Sequence, residues 1–162
     1  SVKIRAQSLK GIRLMTSLDD ILPVSHIILD AEISSKKRLF ECVAQLFAEQ
    51  SGLSQTEVFD CLIARERLGS TALGQGVAMP HGRHAGVLAA TGAFVRLKEP
   101  IEFDAPDNKP VSLVFVLLVP EAATSEHLEL LGHLAGLFNE KSVREALRAC
   151  QTPEEARALL LA

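Results

Sequence analysis

Apolar and polar positions follow one another along this chain in rhythms that switch between strand and helix. His26 to Leu29 is a short apolar run closed by Asp30 and reads as a strand. From Ser35 to Gln50, Leu39, Phe40, Val43, Leu46 and Phe47 recur at helical spacing, and Ser51-Gly52 stops that helix. Ser54-Gln-Thr-Glu57 has the pattern of a capping box. It opens a second helix in which Val58, Cys61, Leu62 and Ile63 supply the buried side and Gly69 the end. Gly69 to Gly86 is rich in glycine and has no helical rhythm, although Val77-Ala78-Met79 can end a strand. Ala90 to Leu97 and Val111 to Val119 read as strands. The second is apolar nearly throughout, as a central strand covered on both faces must be.

Beyond it the chain is helical. Leu128, Leu131, Ala135 and Phe138 form one stripe on a helix beginning near Thr124 or Ser125, and Lys141 to Ala149 makes a shorter helix. Thr152-Pro-Glu-Glu155 is a further capping box, with proline at the first helical position, and launches a final helix. Strands and helices mixed along one chain predict an α/β fold, a single-domain sandwich of a mixed β-sheet with helices packed on its faces. The pattern leaves the strand order open.

Length and composition narrow the function. The 162 residues fit one domain, placed at 15–162, and residues 1–14 read as a basic arm or a remnant, with Lys3, Arg5, Lys10 and Arg13 and no acid. A hydrophobic content of 48% supports a sizeable core, and a net charge of −3 lacks the basic excess of a nucleic-acid binder. No apolar run approaches the ~20 residues that cross a bilayer, and Ser1 to Leu14 lacks the apolar stretch of a secretory signal. Cys42, Cys61 and Cys150 are odd in number and widely spaced. They are expected to be free thiols in a reducing cytoplasm, acting as small apolar residues.

The segment Arg65 to His84 carries the chemistry. Pro80 fixes its own φ, biases Met79 toward extended geometry and rigidifies the approach to His81, while Gly82 permits a close backbone approach. An imidazole held at such a strand end suits a group that presents one nitrogen to a visiting partner. As a nucleophile it needs one ring nitrogen free and the other held by a hydrogen bond. If it accepts a phosphoryl group, the oxygens need donors. Arg65, Arg67, Arg83, the hydroxyls of Ser70 and Thr71, and the amides of Gly74 and Gly76 are close in sequence.

The run Glu66, Leu73, Gly74, Val77, Ala78, Met79, Pro80, His81 and Gly82 resembles the signature of the fructose/mannitol type of enzyme IIA of the bacterial phosphoenolpyruvate-dependent phosphotransferase system. The likeness extends from about Leu18 to Ala162. It implies that His81 is the phosphoryl acceptor and that Arg65 lies near the phosphate. It also implies that His127, in His127-Leu128-Glu129-Leu130-Leu131, helps position the phosphate or the ring. A helix start with free amides is independently a natural neighbour for an anion, and Ser70, Thr71, Gly74 and Gly82 complete the expected phosphate-binding set.

Leu18-Asp-Asp-Ile-Leu22 and Ser34-Ser-Lys-Lys-Arg38 resemble the nitrogen-regulatory branch. Sugar-type members are often fused to membrane permease domains, of which this sequence shows none. The resemblance implies an HPr-like donor, regulatory target proteins, no nucleic acid, no membrane insertion, no metal and no cofactor. Two alternatives stay open: a sugar-specific IIA that passes phosphate to a IIB permease domain, and a binding module that never carries phosphate. His81 and His84 invite a zinc reading, but no Cys or acidic ligand stands at suitable spacing.

Overall fold

In chain order the elements are α1 (Leu18–Ile21), a 3-10 turn (Val24–His26), β1 (Ile27–Ala31), α2 (Lys36–Ser51), α3 (Gln55–Leu68), β2 (Ala72–Gly74), β3 (Val77–Ala78) and β4 (His81–His84). They continue with β5 (Thr91–Ile101), β6 (Val111–Pro120), α4 (Ser125–Phe138), α5 (Lys141–Ala149) and α6 (Pro153–Leu161). The structure, a computed structural model, describes residues 18–122 and 125–162. The basic arm at residues 1–14 and the alternative helix start at Thr124 lie outside the described residues.

The sheet runs β1-β5-β6-β3-β2, with β4 also pairing β6. β1 is parallel to β5, β5 antiparallel to β6, and β3 and β4 parallel to β6, which makes the sheet mixed. Residues at alternate positions of a strand face opposite sides, and β6 uses both. Leu113, Phe115, Leu117 and Val119 join the apolar cluster under α1, α4, α5 and α6. Val114, Val116 and Leu118 join the cluster under α2 and α3. Each such side chain taken out of water is worth about 1.5–3 kcal/mol, so a strand buried on both faces dominates the core. The domain is therefore a three-layer α/β sandwich.

The helix ends follow the sequence. Ser35 accepts the amide of Arg38 to cap α2, and Gly52, at φ 73, closes it in the left-handed region that favours glycine. Thr152 and Glu155 complete the capping box of α6. At α3 only half the predicted box forms. Ser54 accepts the amide of Glu57, but the Glu57 carboxylate accepts from His84 Nε2 at 2.8 Å instead of turning back to the cap.

The stripe on α4 is rotated from its predicted place. Leu130, Leu134 and Phe138 are buried, Leu131 and Ala135 pack partly, and Leu128 is 67% exposed. At about 100° per residue Leu128 stands about 120° around the helix from Leu134, outside the arc that meets the sheet.

One charged side chain organises the core without any sequence signal. Arg96, on β5 and 8% exposed, donates to the carbonyls of Leu147 and Cys150 and to Asp30 Oδ1. It thereby ties the open C-terminal carbonyls of α5 to β1.

Candidate functional site

His81 opens β4, opposite Leu117 in the parallel register with β6. The chain reaches it from β3 through Met79-Pro80, so the strand end expected to present the imidazole is the entry of a new strand, not the exit of the preceding one. Gly82 is buried, and any Cβ there would overlap Cys61 Sγ on α3. Glycine at this position therefore lets β4 pack directly on α3.

The imidazole of His81 is half-buried, and its Nδ1 lies 2.9 Å from the Met79 carbonyl oxygen. A carbonyl only accepts, so Nδ1 carries the proton and donates, which leaves Nε2 with its lone pair. The Met79-Pro80 geometry thus fixes the tautomer as well as the place of the ring.

His81 lines a cavity of about 650 Å³ at the sheet edge between α3 and α4. α3 contributes Cys61, Ala64, Arg65 and Leu68, residues three, four and seven apart and hence on one helical face. α4 contributes Ser125, His127, Leu128 and Leu131 from its first turns, and β4 adds Gly82 and Arg83. His81, Arg65 and His127 are thus brought together from three elements.

Arg65 Nη1 donates to the Gly69 carbonyl at 2.8 Å, which holds the guanidinium while most of its donors stay uncommitted. Burial pushes the Cys61 thiol up from its ordinary range, and Cys61 Sγ donates to the Arg83 carbonyl. It is a packing group rather than a second nucleophile.

Three members of the expected phosphate-binding set are engaged elsewhere. Ser70 Oγ donates to the Phe103 carbonyl at 2.6 Å. Thr71 is buried, and both its amide and its hydroxyl donate to the carboxylate of Glu66. Gly74, at φ 91, faces Asp107. None of the three lines the cavity, and neither do Arg67 and Gly76. Proximity in sequence did not translate into proximity in space because β2 turns away from β4 to pair with β3.

The physical role of Glu66 lies in the same network. It is 9% exposed and also accepts from Lys36 Nζ at 2.9 Å, while that ammonium stands 4.8 Å from the centre of the Phe103 ring. The basic start of α2 thereby finds a structural use. Glu66 and Thr71 pin the loop whose Gly69 carbonyl holds Arg65.

His84 takes the Gly86 amide on Nδ1 and gives its Nε2 proton to Glu57. Both nitrogens are committed, and among the described residues no cluster of three potential metal ligands occurs. The apolar rim of the cavity, Leu68 at 84% and Leu128 at 67% exposure, was not anticipated, although the spacing of Cys61, Ala64, Arg65 and Leu68 along α3 could have revealed its first half.

The profile of the family described as "Phosphoenolpyruvate-dependent sugar phosphotransferase system, EIIA 2" matches residues 20–162. A nitrogen regulatory protein of Pseudomonas aeruginosa is 44% identical over 141 residues, covering 86% of this chain and 92% of that protein. One from Escherichia coli is 40% identical over 148 residues, covering 87% and 91%. The crystal structure of nitrogen regulatory protein IIA-Ntr from Neisseria meningitidis superposes with a TM-score of 0.84 at 64% identity, covering 87% of this chain and 97% of that one. No helix among the described residues is long and apolar enough to cross a membrane. The chain belongs to the EIIA 2 family of the phosphoenolpyruvate-dependent sugar phosphotransferase system, a family of phosphotransfer components.

Proposed function

We propose that this protein is a cytoplasmic phosphocarrier of the nitrogen-regulatory kind, which accepts a phosphoryl group on His81 Nε2 from an HPr-like donor and controls target proteins by its phosphorylation state. The observation that carries the reading is the Nδ1 contact to the Met79 carbonyl, which leaves Nε2 as the free nitrogen of a ring bordering a cavity shared with Arg65 and His127. The nitrogen-regulatory assignment leans on the names of the relatives with 40–44% identity.

In the transfer, the Nε2 lone pair forms the new bond to phosphorus while the bond from phosphorus to the donor imidazole breaks and its electron pair returns to the donor ring. The His81 Nδ1 proton stays where it is, and the Met79 carbonyl compensates the positive charge that the ring acquires. Little covalent help is required of the protein, so positioning and charge do the work. Arg65 supplies a planar pair of donors to the phosphoryl oxygens, His127 stands at the start of α4 where the helix dipole favours an anion, and Gly82 keeps β4 close to α3.

Incubation with phosphoenolpyruvate, enzyme I and an HPr-like carrier tests the reading by mass spectrometry. One acid-labile phosphate on the His81 peptide is expected, absent in His81→Ala, which keeps the native melting temperature. Labelling of His81→Ala at the wild-type rate, or no labelling of the wild type, overturns it. Rapid onward transfer to a sugar-type IIB domain would identify a sugar IIA in its place.

A further inference from the structure

A second polar groove, about 430 Å³, lies where α5 crosses the start of β6. Gln75, Lys109, Ser112, Lys141, Arg144 and Arg148 line it. Ser112 and Leu117 are five residues apart on β6, which puts the groove about 17 Å along the strand from the position paired with His81. It is therefore separate from the cavity described above.

The sequence builds a one-sided charge here. Lys141, Arg144 and Arg148 fall at intervals of three and four residues, so α5 stacks three cations on one face, and Lys109 adds a fourth from the loop before β6. Glu145 is the acid that lines the groove. It sits 3.8 Å from Lys141 in an exposed pair of small energetic value.

Neither arginine has a carboxylate within 4.0 Å among the described residues. Arg144 is only 9% exposed and gives one of its five donors, Nη1, to the Phe138 carbonyl at 3.0 Å. Arg148 donates Nη2 to the Gln75 carbonyl at 2.9 Å and Nε to Ser112 Oγ at 3.5 Å. Desolvation and the neighbouring Arg144 both push the Arg148 guanidinium down from its ordinary range. Among the described residues Arg144 is buried without a carboxylate partner, and Glu145 is the one acid that offsets two arginines one turn apart, so positive charge is left in excess in the groove. An anion placed between them would relieve both.

We propose that this groove binds a small, non-aromatic anion bearing a phosphate or diphosphate group, independently of the chemistry at His81. Arg144 and Arg148 would grip the oxygens bidentately, with Lys141 and Lys109 closing the rim. No aromatic side chain lines the groove, so there is no platform for a nucleobase, and the volume suits a compact phosphorylated metabolite.

The probe is inorganic pyrophosphate, titrated at low ionic strength into the folded ¹⁵N-labelled protein and followed by amide shifts. Saturable shifts are expected at Gly76, Ser112, Lys141 and Arg148, and they should persist in His81→Ala. Arg148→Gln and the exposed Lys141→Gln should each weaken the dissociation constant by about tenfold at unchanged melting temperature. Three results would overturn the proposal: shifts confined to the His81 cavity, shifts that grow linearly without saturation, or an unchanged constant in both variants.

Discussion

Removing the Glu66 carboxylate tests whether the motif's acidic position acts through the loop that holds Arg65. The carboxylate accepts the Thr71 hydroxyl at 2.7 Å, the Thr71 amide at 3.2–3.3 Å and the Lys36 ammonium at 2.9 Å. Glu66→Ala leaves two buried Thr71 donors without an acceptor, at about 1–3 kcal/mol each, with the longer amide bonds at the low end. The Lys36 contact adds at most about 1 kcal/mol, because Lys36 retains 21% side-chain exposure and has Asp104 at 3.5 Å as a substitute. The sum is about 2–5 kcal/mol, and for a chain of this size it should lower the melting temperature by roughly 10 °C. Glu66→Gln keeps an acceptor for Thr71 and should cost about half as much. Scanning fluorimetry or calorimetry reads the shift. A Glu66/Thr71→Val double-mutant cycle should show coupling of more than about 1 kcal/mol. A Glu66→Ala protein melting within about 2 °C of the wild type, or an additive cycle, would refute the reasoning. In the proposed phosphotransfer the same variant should also slow labelling of His81, since the Gly69 carbonyl that holds Arg65 lies in the loosened loop.

Gly82→Ala forces a Cβ against Cys61 Sγ and should destabilise by about 1–3 kcal/mol, with part of the loss recovered in Gly82→Ala/Cys61→Ala, as chemical denaturation will show. Asp107 is held below the usual carboxylate range by the amides of Gln75 and Lys109, so its contribution is present at neutral pH and fades as pH falls through its folded value. Asp107→Asn should accordingly melt below the wild type at pH 7, and the gap should close in acid. A gap that stays constant across a pH series of melting curves would contradict this. Burial pushes all three thiols, Cys42, Cys61 and Cys150, above their ordinary range. Alkylation by iodoacetamide at pH 8 should therefore run at least about tenfold slower on the native protein than after unfolding, read by intact mass.

The strands and helices were legible because core-facing residues repeat with the period of their element. Val111–Pro120 announced a doubly buried strand through its unbroken apolar run. The rotation of the α4 stripe was not legible. Leu128 fits a helical period as well as Leu134 does, and only the position of the sheet decides which arc is covered. Of the three short strands between Gly69 and Gly86, the Val77-Ala78-Met79 run pointed to β3, while β2 and β4 escaped for a different reason: runs of three and four residues hold too few side chains to show alternation.

At the site, His81, Arg65, His127 and Gly82 meet at the cavity, whereas Ser70 and Thr71 serve the loop and Gly74 faces Asp107. A list of polar residues near a motif cannot tell donors that face outward from donors already used by a buried acid. Glu66 was that acid, and its demand for two Thr71 donors appears only once the loop has folded back on α3.

The edge of the sheet explains why the imidazole can be both rigid and reachable. β6 is sealed between helices on both faces, and a nitrogen on it would meet no visitor. β4 borrows its position from β6 by parallel pairing, yet it is only four residues long and carries His-Gly-Arg-His rather than apolar side chains. Hydrogen bonds to β6 fix the backbone and the Met79 carbonyl fixes the ring, so the orientation of Nε2 needs no help from a bound partner. The exposed Leu68 and Leu128 at the rim then offer apolar surface on either side of that nitrogen. Replacing both with Ser should leave the core untouched, since neither side chain is buried. In the proposed reaction it should raise the KM for the phosphorylated donor while the single-turnover rate at saturation stays near that of the wild type. An equal fall in both quantities would mean that the rim shapes the chemistry itself and does not merely dock the partner.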